Sequence, residues 1–360
     1  MANPPLVTAV MPVFNAERFV RQAIRSTLDQ SFTDFEFLII DDGCADRSVS
    51  VIKSFNDPRI KLVQNEHNEG VSRSFNKGIV LSSGRYIARV DADDINLPER
   101  FSKQVRFLEC HGDIGILGTN VIPMDEHGND AMRRPWVVPT KPEVIKWALL
   151  FYISVNNPTV MVRRNVYERF GGCRPDFVAA EDYEFWLRCR RDVGIANLPD
   201  TCVRYRIHST NLTVTQKNAG NRCADLALRN TLEAYLGRDL SLAMVRAWRG
   251  EYRSVAPEFA GQLAALMEEL YHKVLPELES RVEINAFTDV LVYRMFLLAL
   301  GCVWKDPILS LRLVKQVFSL NPSRSLFALL ENLPRLGGIL THKGRSLLSR
   351  LSVANYSRRN

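Results

Sequence analysis

The sequence predicts an α/β protein: a domain built on a mostly parallel central sheet over residues 1–215, followed by an α-helical region over 216–360. Three observations predict it. Apolar runs of strand length alternate with amphipathic segments of helical period through the first half. Polar and acidic residues gather directly after those apolar runs. Past about residue 215 the strand-like runs stop and helical periodicity takes over. Strand, helix and strand in steady alternation imply parallel strands joined by right-handed crossovers.

Leu6 to Val13 reads as the first strand. A helix follows, with Phe19, Val20, Ala23, Ile24 and Leu28 at helical spacing and Asn15 placed to cap it. Phe35 to Ile40 is nearly continuous in apolar residues, which suits a strand buried on both faces. Arg59 to Val63 and Arg85 to Val90 read as two further strands. The helix between them carries Val71, Phe75 and Ile79 on one face, with Arg73 and Lys77 directed away. In the second half Phe259, Leu263, Leu266, Met267 and Leu270 repeat at helical spacing, and Pro257, Pro276, Pro307 and Pro322 mark expected breaks. From Asn332 onward there are six Lys or Arg and no Asp or Glu, interspersed with Leu336, Ile339, Leu340, Leu347, Leu348 and Leu351.

A chain of 360 residues is long enough for two domains. Its hydrophobic fraction of 46% and charged fraction of 24% exclude a disordered chain, a collagen-like repeat and a small disulfide scaffold. The net charge of +7 suggests anionic partners. Seven scattered cysteines without a C-x-x-C read as reduced thiols, so a cytoplasmic location is expected. No secretory leader is visible at the start. The most apolar run, Val290 to Trp304, is interrupted by Arg294 and falls short of the roughly 20 residues that span a bilayer. There is no G-x-G-x-x-G after the first strand, no P-loop, no zinc spacing and no nucleic-acid-binding pattern.

In parallel sheets ligands collect beyond the carboxyl ends of the strands. There lie Pro12, Phe14 and Asn15 after the first strand, Asp41 and Asp42 after the second, and Asp91-Ala92-Asp93-Asp94 after the strand from Arg85. Two carboxylates one residue apart can address a divalent cation and a sugar hydroxyl together, and hard oxygen ligands favour Mg²⁺ or Mn²⁺. The plainer alternative is a solvated turn with Asp94 capping the helix near Pro98. Asp41 or Asp42 suits a ribose or base, or an Asp-Gly turn. The stretch Asn68 to Arg73 opens a helix whose free N–H groups favour anions, with Arg73 as a partner for the nucleotide or merely a surface arginine. Glu181 and Asp182 open another helix, with Trp186 on the face of Asp182, so carboxylate and indole suit one pocket. A carboxylate there can act as general base, or simply favour a helix N-terminus. Glu184 and Arg188 read as a pair on a solvated face. Gly172 suits close backbone approach to a ligand or a turn. His208 could join a metal or steady a diphosphate, or be structural as a lone His ordinarily is, and Arg204 or Arg206 could neutralise a leaving group.

In this order, from about Val7 to Thr213, these motifs resemble the family 2 glycosyltransferases, whose fold is the GT-A type. The opening Val10 to Asn15 resembles the family's nucleotide-binding first strand, with Phe14 where an aromatic ring often stacks on the base. Asp41-Asp42-Gly43 resembles its second-strand acid motif, although Cys44 and Ala45 stand where serine and threonine are usual. Asn68 to Arg73 with Asn76 is similar to its Asn-x-Gly helix, and Asp91-Ala92-Asp93-Asp94 to its D-x-D. Gly171-Gly172 and Glu181-Asp182 resemble the acceptor-side segment, and Tyr205 to His208 the loop that closes over the diphosphate. The resemblance implies an inverting transferase in which Asp182 is the catalytic base, Asp91 binds the nucleotide, and Asp93 with His208 holds Mg²⁺ or Mn²⁺. It further implies diphosphate contacts from Arg206 and His208, and an acceptor side that includes Glu181, Trp186 and Gly172. The expected donor is a nucleoside-diphosphate sugar, with UDP as the nucleotide, and the expected acceptor a glycan or lipid-linked hydroxyl in cell-surface polysaccharide or glycolipid synthesis. Two competing readings are a sugar nucleotidyltransferase, which should show a Gly-rich basic loop after strand one, and a non-catalytic sugar-nucleotide binder. The basic tail carries a further expectation, a peripheral contact with the inner face of a membrane.

Overall fold

The computed structural model describes residues 4–132, 134–250, 256–302, 305–323 and 325. It divides into two compact units, Met1–Val245 and Arg246–Asn360.

The first unit is built on one eight-stranded sheet. β1 (Val7–Val13), α1 (Val20–Leu28), β2 (Phe35–Asp41), α2 (Ser48–Lys53), β3 (Ile60–Gln64), α3 (Val71–Leu81) and β4 (Tyr86–Arg89) follow one another as expected. β2 is buried at every residue because it lies between β1 and β3 with helices over both faces. Within it Glu36 is tolerated because Lys61 Nζ lies 2.6 Å away and Thr8, Ser83 and the Ser83 N–H donate to it. Burial would raise this carboxyl, but those partners hold it down to about 2. Pairing along β3-β2-β1-β4 is parallel throughout.

Beyond β4 the sheet is mixed. β5 (Ile95–Asn96), α4 (Arg100–Cys110), β6 (Ile114–Met124), α5 (Pro142–Ala148), β7 (Met161–Arg163), α6 (Arg164–Phe170), α7 (Glu181–Cys189) and β8 (Gly194–Arg206) complete it, in the order β3-β2-β1-β4-β7-β6-β8-β5. β7 runs antiparallel to β4 and β6, β8 runs parallel to β6, and β5 folds back antiparallel on β8. That last pairing carries the end of β8 to the carboxyl end of β4. α8 (Leu212–Thr215) and α9 (Lys217–Leu236) follow, and α9 packs on α7, so this unit runs past residue 215.

α10 (Leu242–Trp248) spans the boundary between the units, and in the second unit α11 (Pro257–Val274), α12 (Arg281–Cys302) and α13 (Pro307–Leu320) pack on one another. Pro257 and Pro307 sit in the first turns of their helices, where a missing N–H costs nothing. α12 extends further toward the N-terminus than the apolar run read from sequence, and it is long and apolar enough to cross a membrane; most of its apolar stretch is buried among its neighbours. The basic tail from Asn332 lies outside the described residues.

Candidate active site

The carboxyl ends of β1, β2 and β4 form one rim, and β8 brings a fourth segment to it. Asp93 is 27% exposed and its Oδ2 lies 2.9 Å from His208 Nε2, with Asn211 Nδ2 at 3.2 Å. His208 is held in turn: its N–H donates to Asn211 Oδ1, its Nδ1 meets Thr210, and its ring lies 4.8 Å from that of Phe19. Asp94 is buried beneath. Its Oδ1 accepts the Arg206 N–H (2.8 Å), while Oδ2 has no hydrogen-bond partner. Burial, then the charges of Asp93 and Asp91, push this carboxyl far above the usual range. Asp94 therefore does not cap the following helix, whose N-cap is Glu99.

The second acidic pair lies within electrostatic reach of the first. Arg89 donates from Nε to Asp91 Oδ1 (2.9 Å), and its Nη1 lies 3.9 Å from Glu181 Oε1. Glu181 is buried at the start of α7, and Asp182 beside it accepts the Tyr183 N–H. Burial, followed by the neighbouring Asp182 charge, pushes Glu181 up to about 7. Asp182 is also raised, by burial first, with Arg89 opposing and Asp91 adding to the shift. The turn before α7 is pinned to the donor side by Asn76 of α3, which accepts from the Cys173 N–H and donates to the Cys173 carbonyl, each at 2.8 Å. Gly172 permits this, since a Cβ there would stand 2.1 Å from Asn76 Oδ1.

Along the rim Phe14 is 50% exposed just after β1. Pro12 sits one step back in the strand, opposite Ile40. Asn15 does not cap α1, whose N-cap is Phe19 without a side-chain bond. Its backbone is left-handed (φ 48°), and Oδ1 accepts the Ala45 N–H, tying the loops after β1 and β2 together. Both acids after β2 are buried. Asp41 accepts from the Cys44 N–H and Gln64, whereas Asp42 accepts from Asn65 and the N–H groups of Glu69 and Gly70. Asp42 thus shapes the loop that leads into α3. Arg73 is exposed, and its Nη1 donates only to the Glu69 carbonyl one turn back.

Three assignments change. Arg206 is almost wholly buried over the Phe19 ring, and it donates to the carbonyls of Asp93, Asp125 and Glu126 and to Gln22. It fastens the D-x-D loop instead of facing a diphosphate. Trp186 is 2% exposed and lies in the core edge-on to Phe185, so its indole does not line a pocket with Asp182. Glu184 and Arg188 do pair (2.9 Å), but Glu184 is buried and the expected solvated face is absent. Sequence reasoning missed Arg89, Asn76's contact and Asn211. Arg89 left one signal, a lone cation inside an apolar strand, which must find a counter-charge.

Among the described residues no group of three or more His, Cys, Asp or Glu could hold a metal alone. Asp93 and His208 would hold such an ion only by exchanging their 2.9 Å hydrogen bond for bonds to the metal. A carboxylate oxygen suits Mg²⁺ or Mn²⁺, and the imidazole nitrogen favours Mn²⁺ of the two.

Residues 8–170 match the profile of glycosyl transferase family 2. An uncharacterized glycosyltransferase of Haemophilus influenzae is 32% identical over 247 residues, covering 66% of this chain and 76% of that protein. The UDP-Glc:alpha-D-GlcNAc-diphosphoundecaprenol beta-1,3-glucosyltransferase WfgD of Escherichia coli is 30% identical over 210 residues, covering 58% of this chain and 79% of its own. Among solved structures, TarS (residues 1–349) of S. aureus in complex with UDP-GlcNAc has a similar fold, with TM-score 0.55, 15% identity and 91% of each chain covered.

Proposed function

Because the chain belongs to glycosyl transferase family 2, we propose that it is an inverting enzyme that transfers a sugar from a nucleoside-diphosphate sugar to the hydroxyl of a lipid-linked or polysaccharide acceptor. The observation that carries this reading is the meeting of two acidic pairs, distant in sequence, across Arg89. In it Phe14 stacks on the base and Asp91 addresses the ribose. Asp93 and His208 would hold Mn²⁺ or Mg²⁺, which when bound would offset charge on the departing diphosphate. Asp182 takes the proton of the acceptor hydroxyl on the face opposite departure, which inverts the anomeric centre. Glu181 and Gly172 shape the acceptor side, and Arg206 acts only through the loop it holds.

UDP as the nucleotide and a diphosphate-linked lipid as the acceptor draw support from the substrates named for the E. coli relative. The basic tail suits docking on an anionic membrane at its cytoplasmic face. A panel of UDP- and GDP-sugars with Mn²⁺, assayed for nucleotide release, tests the donor half; no release from any sugar counts against the reading. Sedimentation with anionic vesicles tests the tail, since full-length chain and chain ending at Asn332 should differ in binding.

A further inference from the structure

Arg89 ends β4 with its side chain 6% exposed. Its position is over-determined. The backbone N–H donates to the Val160 carbonyl (3.0 Å), the carbonyl accepts from Arg100 Nη2 (2.7 Å), and the guanidinium lies over the Phe75 ring of α3 at 5.1 Å. A fork held this firmly places whatever carboxylates it meets, and it meets one from each half of the site. Glu181 and Asp182 lie in a poorly solvated place beside Asp91, where the charged form of either needs an opposing charge. Arg100 also acts on Asp91, while Arg89 reaches both Asp91 and Glu181. Burial keeps Cys173 and Tyr167 neutral, and Arg188 is turned onto Glu184.

We propose that Arg89 is a positioning residue: one buried guanidinium ties Asp91 of the donor rim to Glu181 of the acceptor helix and so fixes Asp182 against the donor. Its catalytic half rests on Asp182 being the base; the tie itself does not. Arg89→Gln leaves Glu181, which gains its charge as pH rises through about 7, and the acids beside it without a counter-charge. The drop in Tm relative to wild type should therefore be larger at pH 8 than at pH 5. Adding Glu181→Gln removes one of those charges and should recover most of the pH 8 loss. A packing role alone gives a loss independent of pH and untouched by Glu181→Gln, and that result overturns the proposal.

If Arg89→Gln does not fold, Arg89→Lys carries the test, because it keeps the charge and loses the fork. Its melting should keep the wild-type pH dependence, and UDP should bind with Mn²⁺ within about threefold of wild type, while UDP release from UDP-glucose should fall about tenfold or more. Unchanged release overturns the positioning role. If wild type releases no UDP, the functional reading fails by itself, and the melting of Arg89→Gln with and without Glu181→Gln still decides the tie.

Discussion

Asp182 and Asp93 do separable work in the proposed reaction. Asp182→Asn should lower transfer by about 10²–10⁴-fold, the usual worth of a general base, while UDP still binds with Mn²⁺ at close to the wild-type affinity. Asp93→Ala should do the opposite at the binding step, abolishing the gain in UDP affinity that Mn²⁺ brings, as calorimetry with and without the ion would record. Glu181 makes a third prediction, from sign alone. Its carboxyl is pushed up to about 7 in the folded chain, mainly by burial. The folded state therefore holds a proton that the unfolded state has released between about pH 4.5 and 7. Its contribution to stability is fully present below that window and lost as pH rises through it. Melting profiles of Glu181→Gln should be flatter than wild type there, and an identical slope would refute the shift. At this scale the acids were legible because they follow strands, but their surroundings were not. Nothing in the pattern around Arg206 or Trp186 says that one is spent on carbonyls and the other sunk in the core, because burial is decided by segments far away in sequence.

The first three strands and their helices are local, in-order units, and hydrophobic period alone marks them. β6, β7 and β8 are harder to see: β7 has three residues, and β8 carries polar residues along its length because it borders β5 near the edge of the sheet. The missed contact of Asn76 belongs here too, since one amide spans from α3 to the turn before α7. Gly172→Ala tests that clamp. The added methyl cannot share space with Asn76 Oδ1, so the turn must shift, at a cost of about 1–3 kcal/mol. Transfer should fall further than UDP binding does, because the displaced turn leads to Asp182. A Tm within error of wild type would show that the turn yields freely.

Across the whole chain, every residue of the candidate site lies within the unit Met1–Val245. A chain ending after residue 250 should therefore melt cooperatively and bind UDP with Mn²⁺ at wild-type affinity; loss of binding with folding intact would assign part of the site to the later helices. The change of periodicity near residue 215 marked the end of the sheet correctly, but it could not show that α9 packs back on α7. Compact units are defined by who touches whom, which composition along a chain does not record. The Arg206 fastening adds a consequence in time. Asp93 leaves the ribosome well before His208, Arg206 and Asn211, the groups that orient it and its loop. Because β8 must dock before those contacts close, a half-synthesised chain carries Asp93 on a loop that is not yet fastened.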